Sequence, residues 1–235
     1  MMPTRSLAPL PLLGLLTLTL CATGPAQAAR PFVTEDAGVL ERGSCEFEAS
    51  YGVARQRGSA KQRRWWLQPV CGVGARTQLA IGTGAVQGQG LRTRGVALLG
   101  KTWLTPPTDH GPNLAIAYGA STSRESGDRW RHDAKSLNLV GTLRSGVSTW
   151  SANLGWARDV IGKSTSTTWA LGWERPVAEG LDAGIDVFGD DHEAPWLNLG
   201  LRWTVREGVW LDASYASQTN AARARSMNLG LRLGW

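Results

Sequence analysis

The chain closes on Ser-Met-Asn-Leu-Gly-Leu-Arg-Leu-Gly-Trp, residues 226–235. Met227, Leu229, Leu231, Leu233 and Trp235 fall on one parity, and Asn228, Gly230, Arg232 and Gly234 on the other. Side chains alternate across a strand, so one face is apolar and the other small or polar. A helix would scatter the same residues around its circumference. An apolar face ending on an aromatic suits a strand with lipid outside, a polar lumen inside and a ring at the membrane interface.

The alternation recurs upstream. Cys45, Phe47, Ala49, Tyr51 and Val53 form one apolar set, and Trp65, Leu67, Pro69, Cys71 and Val73 the next. Further sets start at Leu79, Val96, Leu114, Leu137, Trp150, Thr167, Leu181, Leu197 and Leu211. With the C-terminal decapeptide this makes twelve, and an even number brings both ends to one side. The connections alternate too. One series is mostly short: 74–76, 105–112, 144–146, 175–180 and 206–208. The other is mostly longer: 55–64, 87–94, 122–135, 157–164, 189–195 and 218–225. Short periplasmic turns and long outer loops are expected of outer-membrane barrels. A soluble β-sandwich also alternates. It has no reason to set Trp150 and Trp156 at both ends of one apolar parity, roughly 20 Å apart at about 3.3 Å per residue. The expected fold is all-β: a single transmembrane antiparallel up-and-down β-barrel of about twelve strands. The terminal aromatic also resembles the closing signature of bacterial outer-membrane barrels.

Composition agrees. Among 235 residues there are 12 Trp and 29 Gly but only 3 Phe and 3 Tyr. Trp favours membrane interfaces. A mean hydropathy of −0.20 is no objection, because alternation cancels lipid-facing against lumen-facing residues. Residues 1–28 read as a secretory signal peptide: Arg5, an apolar run over 7–20, and Ala26-Gln27-Ala28 as the cleavage site. A lipoprotein site at Cys21 is disfavoured by the bulky Leu20 before it. Cleavage takes the net charge from +6 to +5. The expected division is signal peptide 1–28, a periplasmic lead-in 29–43, and the barrel 44–235, located in the outer membrane.

Two cysteines remain after cleavage. Centring the first hairpin near Gly58 sets Tyr51 against Trp65, Phe47 against Pro69, and Cys45 against Cys71. Opposed Cα atoms in antiparallel strands lie about 4.5–5.5 Å apart, within disulfide reach. The periplasm is oxidising, so a Cys45–Cys71 disulfide is expected.

The parity opposite the apolar face carries Glu46, Glu48, Lys101, Asp182, Asp186, Arg202, Asp212 and Arg232. These are the expected lumen-lining residues. Arg232 should reach Glu46 and Glu48, and Arg202 should lie between Asp182/Asp186 and Asp212. The result is either a charge-lined conduit or a structural network that fills the barrel. The loops carry Arg55, Arg57, Lys61, Arg63, Arg64, Arg124, Arg129, Arg131, Arg223 and Arg225. They are placed to meet outer-membrane lipids and the phosphates of lipopolysaccharide. The strand ending at Trp235 is the expected contact for the barrel-assembly machinery. A small-molecule solute is expected, and nucleic acid is not.

No catalytic residues, metal or cofactor are expected. His110, His132 and His192 all fall in connections, and Asp190-Asp191-His192-Glu193 reads as a solvated acidic loop. A membrane-embedded lipid-modifying enzyme would need Ser, His and an acid together at one interface. His132, Asp133 and Ser136 alternate across the strand instead.

Arg30-Pro-Phe-Val-Thr-Glu-Asp-Ala resembles the opening of the Gram-negative outer-membrane transporter family of the MetA-pathway phenol-degradation type. Residues 44–48 (Ser-Cys-Glu-Phe-Glu) and 67–71 (Leu-Gln-Pro-Val-Cys) resemble its cysteine-bearing subgroup. The resemblance implies a barrel that passes or binds small molecules, among them aromatic or poorly soluble compounds.

Overall fold

The structure, a computed structural model, describes residues 32–108, 111–220 and 224–235. The expected signal peptide, residues 29–31, His110 and Arg223 lie outside the described residues. Twelve strands follow one another: β1 (Cys45–Arg55), β2 (Gln62–Gly72), β3 (Thr77–Gly88), β4 (Leu91–Trp103), β5 (Pro112–Glu125), β6 (Arg131–Ser145), β7 (Ser148–Asp159), β8 (Ser164–Ala178), β9 (Leu181–Asp190), β10 (Trp196–Arg206), β11 (Val209–Gln218) and β12 (Arg225–Gly234). Each pairs with its chain neighbours, and β12 pairs with β1, closing the barrel.

The seam runs from Glu46 opposite Gly234 to Arg55 opposite Arg225. The N–H groups of Cys45 and Trp235 each donate to the other's carbonyl at 3.0 Å. Closure leaves no strand edge with unpaired backbone groups, which a bilayer would penalise by several kcal/mol each.

The wall is inverted relative to a soluble protein. Ile81, Leu98 and Leu171 are each 60% exposed and face out, whereas Ala115 and Val140 are 0% exposed and face in. In water such a belt would be an aggregation surface; against acyl chains it is the solvated face. Trp150 and Trp173 are neighbours on it, with ring centroids 6.1 Å apart.

The disulfide Cys45–Cys71 is present, with a Cα separation of 4.2 Å. The register around it is Tyr51 on Trp65, Ala49 on Leu67 and Phe47 on Pro69.

Several strands run further than their apolar sets. The connection expected over 87–94 is a two-residue turn, Gln89 and Gly90, with φ of 51° and 80°. Positive φ at both central residues is the type I′ hairpin geometry. Likewise β5 continues to Glu125 and β6 begins at Arg131. Backbone pairing persists into the polar rim, where side chains no longer alternate apolar with polar.

The lead-in differs most from expectation. Residues 32–40 lie inside the barrel rather than in the periplasm, and Phe32, Thr34, Ala37 and Val39 are buried there. Gly72 admits the chain at the rim: a Cβ there would lie 2.0 Å from the Glu41 carbonyl oxygen. Arg42 bridges to Gly72, and the chain then turns at Gly43, with φ of 89°, into β1.

Candidate functional site

The lead-in follows the inner wall from β9 round to β3, and inward side chains on five of these strands hold it. On β9, the Asp186 carboxylate accepts the N–H groups of Val33 at 2.6 Å and Thr34 at 2.8 Å. Asn198 on β10 donates to the other Asp186 oxygen at 2.7 Å. On β7, Asn153 accepts the Glu35 N–H at 2.7 Å and donates to the Glu35 carbonyl at 2.9 Å. On β6, the Thr142 hydroxyl accepts the Ala37 N–H at 2.8 Å. On β4, Lys101 Nζ donates to the Asp36 carbonyl at 2.9 Å, and Trp103 Nε1 donates to that of Ala37 at 2.6 Å. On β3, Gln78 accepts the Leu40 N–H at 2.8 Å.

An irregular segment cannot satisfy its own backbone, and buried N–H and C=O groups require partners. Here the wall supplies them. Inward glycines supply the space: a Cβ at Gly184 would sit 2.7 Å from the Phe32 ring, and one at Gly172 3.0 Å from Thr34.

The opposite half of the lumen carries the remaining charges. Arg202 Nε donates to Asp212 Oδ1 at 3.0 Å, and its Nη1 lies 3.5 Å from Glu174 Oε2. Arg232 reaches Glu46 at 3.9 Å and lies 4.6 Å from the centroid of the Trp210 ring. Glu48 is buried and accepts from Gln68 Nε2 at 3.2 Å.

Two cavities flank the lead-in. One of about 250 Å³ is lined by Glu35, Glu46, Glu48, Gln68, Gln78 and Lys101 among others. The second, about 530 Å³, is lined by Phe32, Thr142, Arg144, Glu174 and Arg202 among others. Asp36, Gly38 and Arg232 line both. The cavities therefore adjoin where the lead-in faces β12.

The expected charge network is only partly assembled. Among the described residues Asp186 meets no cation; it is the acceptor that anchors the lead-in. Lys101 serves the lead-in as well, with Glu35 at 3.9 Å. Asp182 stands opposite Arg202 in register, but the Arg202 guanidinium turns to Asp212 and Glu174. Glu174, Asn153, Thr142 and Gln78 were not anticipated, although each shares the inward parity of its strand. That parity was the available signal. The partner was not, because nothing in residues 30–43 marks them as lumen-bound.

Other candidates are taken up by local hydrogen bonds. His192 lies in a loop, as expected, whereas His132, expected in a connection, stands on β6, which begins at Arg131. Asp190 Oδ1 accepts the N–H groups of His192 and Glu193, each at 2.8 Å. The His192 ring donates to the Thr165 carbonyl at 2.9 Å, and that bond together with Asp191 raises its pKa. The His132 ring donates to the Ser121 carbonyl at 2.8 Å, and Asp133 accepts from the Ser121 hydroxyl. Neither bond joins a histidine to a nucleophilic hydroxyl. Among the described residues no three His, Cys, Asp or Glu side chains are grouped to hold a metal.

A closed twelve-stranded wall with an apolar outer belt and a polar, partly filled lumen defines the class: an outer-membrane β-barrel. The family model described as "Uncharacterised conserved protein UCP029691" matches residues 16–235, and the chain belongs to that family. No curated protein matches it. Solved barrels share the fold. The KdgM porin superposes with a TM-score of 0.56 at 12% identity, over 80% of this chain and 99% of that one. The NanC porin gives 0.58 at 7%, over 80% and 98%. The COG4313 outer-membrane channel from Pseudomonas putida F1 gives 0.55 at 11%, over 85% and 98%. Identities this low establish architecture alone.

Proposed function

We propose that the protein is an outer-membrane conduit that passes or binds small molecules, narrowed by its own lead-in. One observation carries this reading: the two cavities adjoin at Asp36, Gly38 and Arg232, between the lead-in and the charged half of the wall. A solute would pass over a strip with Arg232, Arg202, Glu46 and Glu174 on one side and the Asp36 segment on the other. The porin architecture supports passage. The resemblance to transporters of the MetA-pathway phenol-degradation type supports aromatic or poorly soluble compounds as the first solutes to test. Contacts of the loops with lipopolysaccharide and of the Trp235 strand with the assembly machinery belong to the same reading.

A second reading, a structural barrel with no open path, is favoured by the eight hydrogen bonds described above that tie residues 33–40 to the wall. Planar-bilayer conductance separates the two. The wild type is expected to conduct weakly, and deletion of residues 32–40 to raise conductance several-fold. Asp186→Ala, which leaves the half-buried Val33 N–H and the buried Thr34 N–H without their acceptor, the buried one at about 1–3 kcal/mol, should raise it in part. A silent trace from both wild type and deletion, in barrels that have inserted, leaves the structural reading.

A further inference from the structure

We propose that the outer wall of β4–β7, at its loop-bearing end, is a binding site for a phosphorylated lipid headgroup of the outer leaflet, that of lipopolysaccharide. The site rests on the reading of the protein as an outer-membrane barrel and is independent of conduction.

The alternation that exposes Leu98 and Val96 to lipid continues along β4 to Arg94 and Arg92, which therefore project outward too. Arg94 stands directly opposite Arg124 on β5. Lys135 on β6 stands directly opposite Arg158 on β7, and faces Ala120 across the β5–β6 seam. Two like-charged pairs thus lie on four adjacent strands, the first set further along the wall than the second by the stretch of β5 from Ala120 to Arg124. Arg92, Arg94 and Lys135 are exposed, and Arg124 and Arg158 are half-buried.

Like charges directly opposed across a strand pair destabilise it, so the arrangement calls for an anion. The wall supplies none. No outward-facing registered position on β4–β7 is Asp or Glu. Glu125, in register with Thr93, falls on the inward parity. Of the other nearby carboxylates, Asp133 accepts from Ser121, Asp159 from the Gly162 N–H at 2.7 Å, and Asp128 lies 3.4 Å from Arg131. Arg94 and Lys135 form no ion pair with a described residue. Arg158 donates to Thr165 at 2.8 Å, and Arg124 lies 5.1 Å from the centroid of the Trp130 ring. Both contacts hold a guanidinium in place without neutralising it.

The level and the chemistry identify the anion. Directly below the patch, Tyr118, Leu137 and Trp156 are exposed to lipid, so the cations sit where acyl chains give way to headgroups. Guanidinium forks bind phosphate bidentately. Two cationic pairs match a headgroup carrying two phosphates. The rim is not a uniform girdle: Arg55 opposite Arg225, with Arg63, makes a second cationic stretch on β12, β1 and β2, and Gln87 on β3 stands between Arg63 and Arg92. The corresponding rim of β8–β11 offers Thr165, Thr167, Gly189, Leu197 and Ser217, with no cation.

The test uses the full mature protein in detergent, incubated with diphosphoryl lipid A, monophosphoryl lipid A or phosphatidylethanolamine, with bound lipid read by native mass spectrometry. Retention is expected to fall in that order. The variant R94Q/R124Q/K135Q/R158Q should bind diphosphoryl lipid A at least about tenfold more weakly, the change expected from losing charge-assisted contacts. R175Q/R206Q, at the opposite end of the barrel, should bind as the wild type does. Folding of each variant is checked by heat-modifiable gel migration, and R94Q/R124Q alone serves if the fourfold change disturbs it. Undiminished binding in the folded variants overturns the site, as does equal retention of all three lipids or displacement by millimolar inorganic phosphate. Conductance is read separately, so a barrel that binds lipid but does not conduct refutes the conduit and not this site.

Discussion

Arg202 shows how far an inward parity carries at the level of one residue. Its strand position points it into the lumen, but its partners depend on the twist between strands. It bonds Asp212, whose side chain is 2% exposed, and Glu174 rather than Asp182. The pair is shielded on the Asp212 side and wetter at Arg202, 14% exposed. Arg202→Met should therefore lower stability by about 1.5–3 kcal/mol, the worth of a hydrogen bond to a charged group. The readout is the denaturant midpoint followed by tryptophan fluorescence in detergent. A loss below about 0.5 kcal/mol would instead mean that lumen water screens the pair as at a surface. Ion selectivity of any conducting form should move toward cations. Asp186 teaches the complementary lesson. A buried carboxylate is expected to seek a cation, but two backbone N–H groups and the Asn198 amide also satisfy it.

At the scale of elements, the first hairpin and the lead-in form one unit. The disulfide fastens the start of β1 to the end of β2, next to Gly72, where Arg42 bridges and the Gly43 N–H bonds at 3.0 Å. A cross-link over a sequence separation of 26 should contribute about 3 kcal/mol by restricting the unfolded chain. Cys45→Ser/Cys71→Ser should lose that increment, and its unfolding midpoint should no longer respond to reductant. A wild type equally insensitive to reductant would refute the contribution. The hairpin pairing was readable because both cysteines share the apolar parity and a turn centre at Gly58. The strand ends were not. Beyond the apolar belt the backbone keeps pairing while the side chains turn polar, so Arg92, Arg94, Lys135 and Arg158 read as loop and stand on the wall.

For the whole molecule, closure predicts a barrel that resists detergent without boiling. Unboiled samples should migrate faster on gels than boiled ones. Migration as a random coil without boiling, after correct insertion, would count against a closed wall. The class of fold, the number of strands, the first-hairpin register and the inward or outward parity followed from the sequence alone. Each is a local property: period-two alternation, turn residues and counting along the chain express them within a few residues. The course of residues 32–40 was decided only by the tertiary structure. Those residues have no period, and their partners Gln78, Thr142, Asn153 and Asp186 are scattered over more than a hundred residues of sequence. Only the closed wall brings those side chains around one space, and only there do the amides of Val33, Thr34, Glu35, Ala37 and Leu40 find side-chain acceptors.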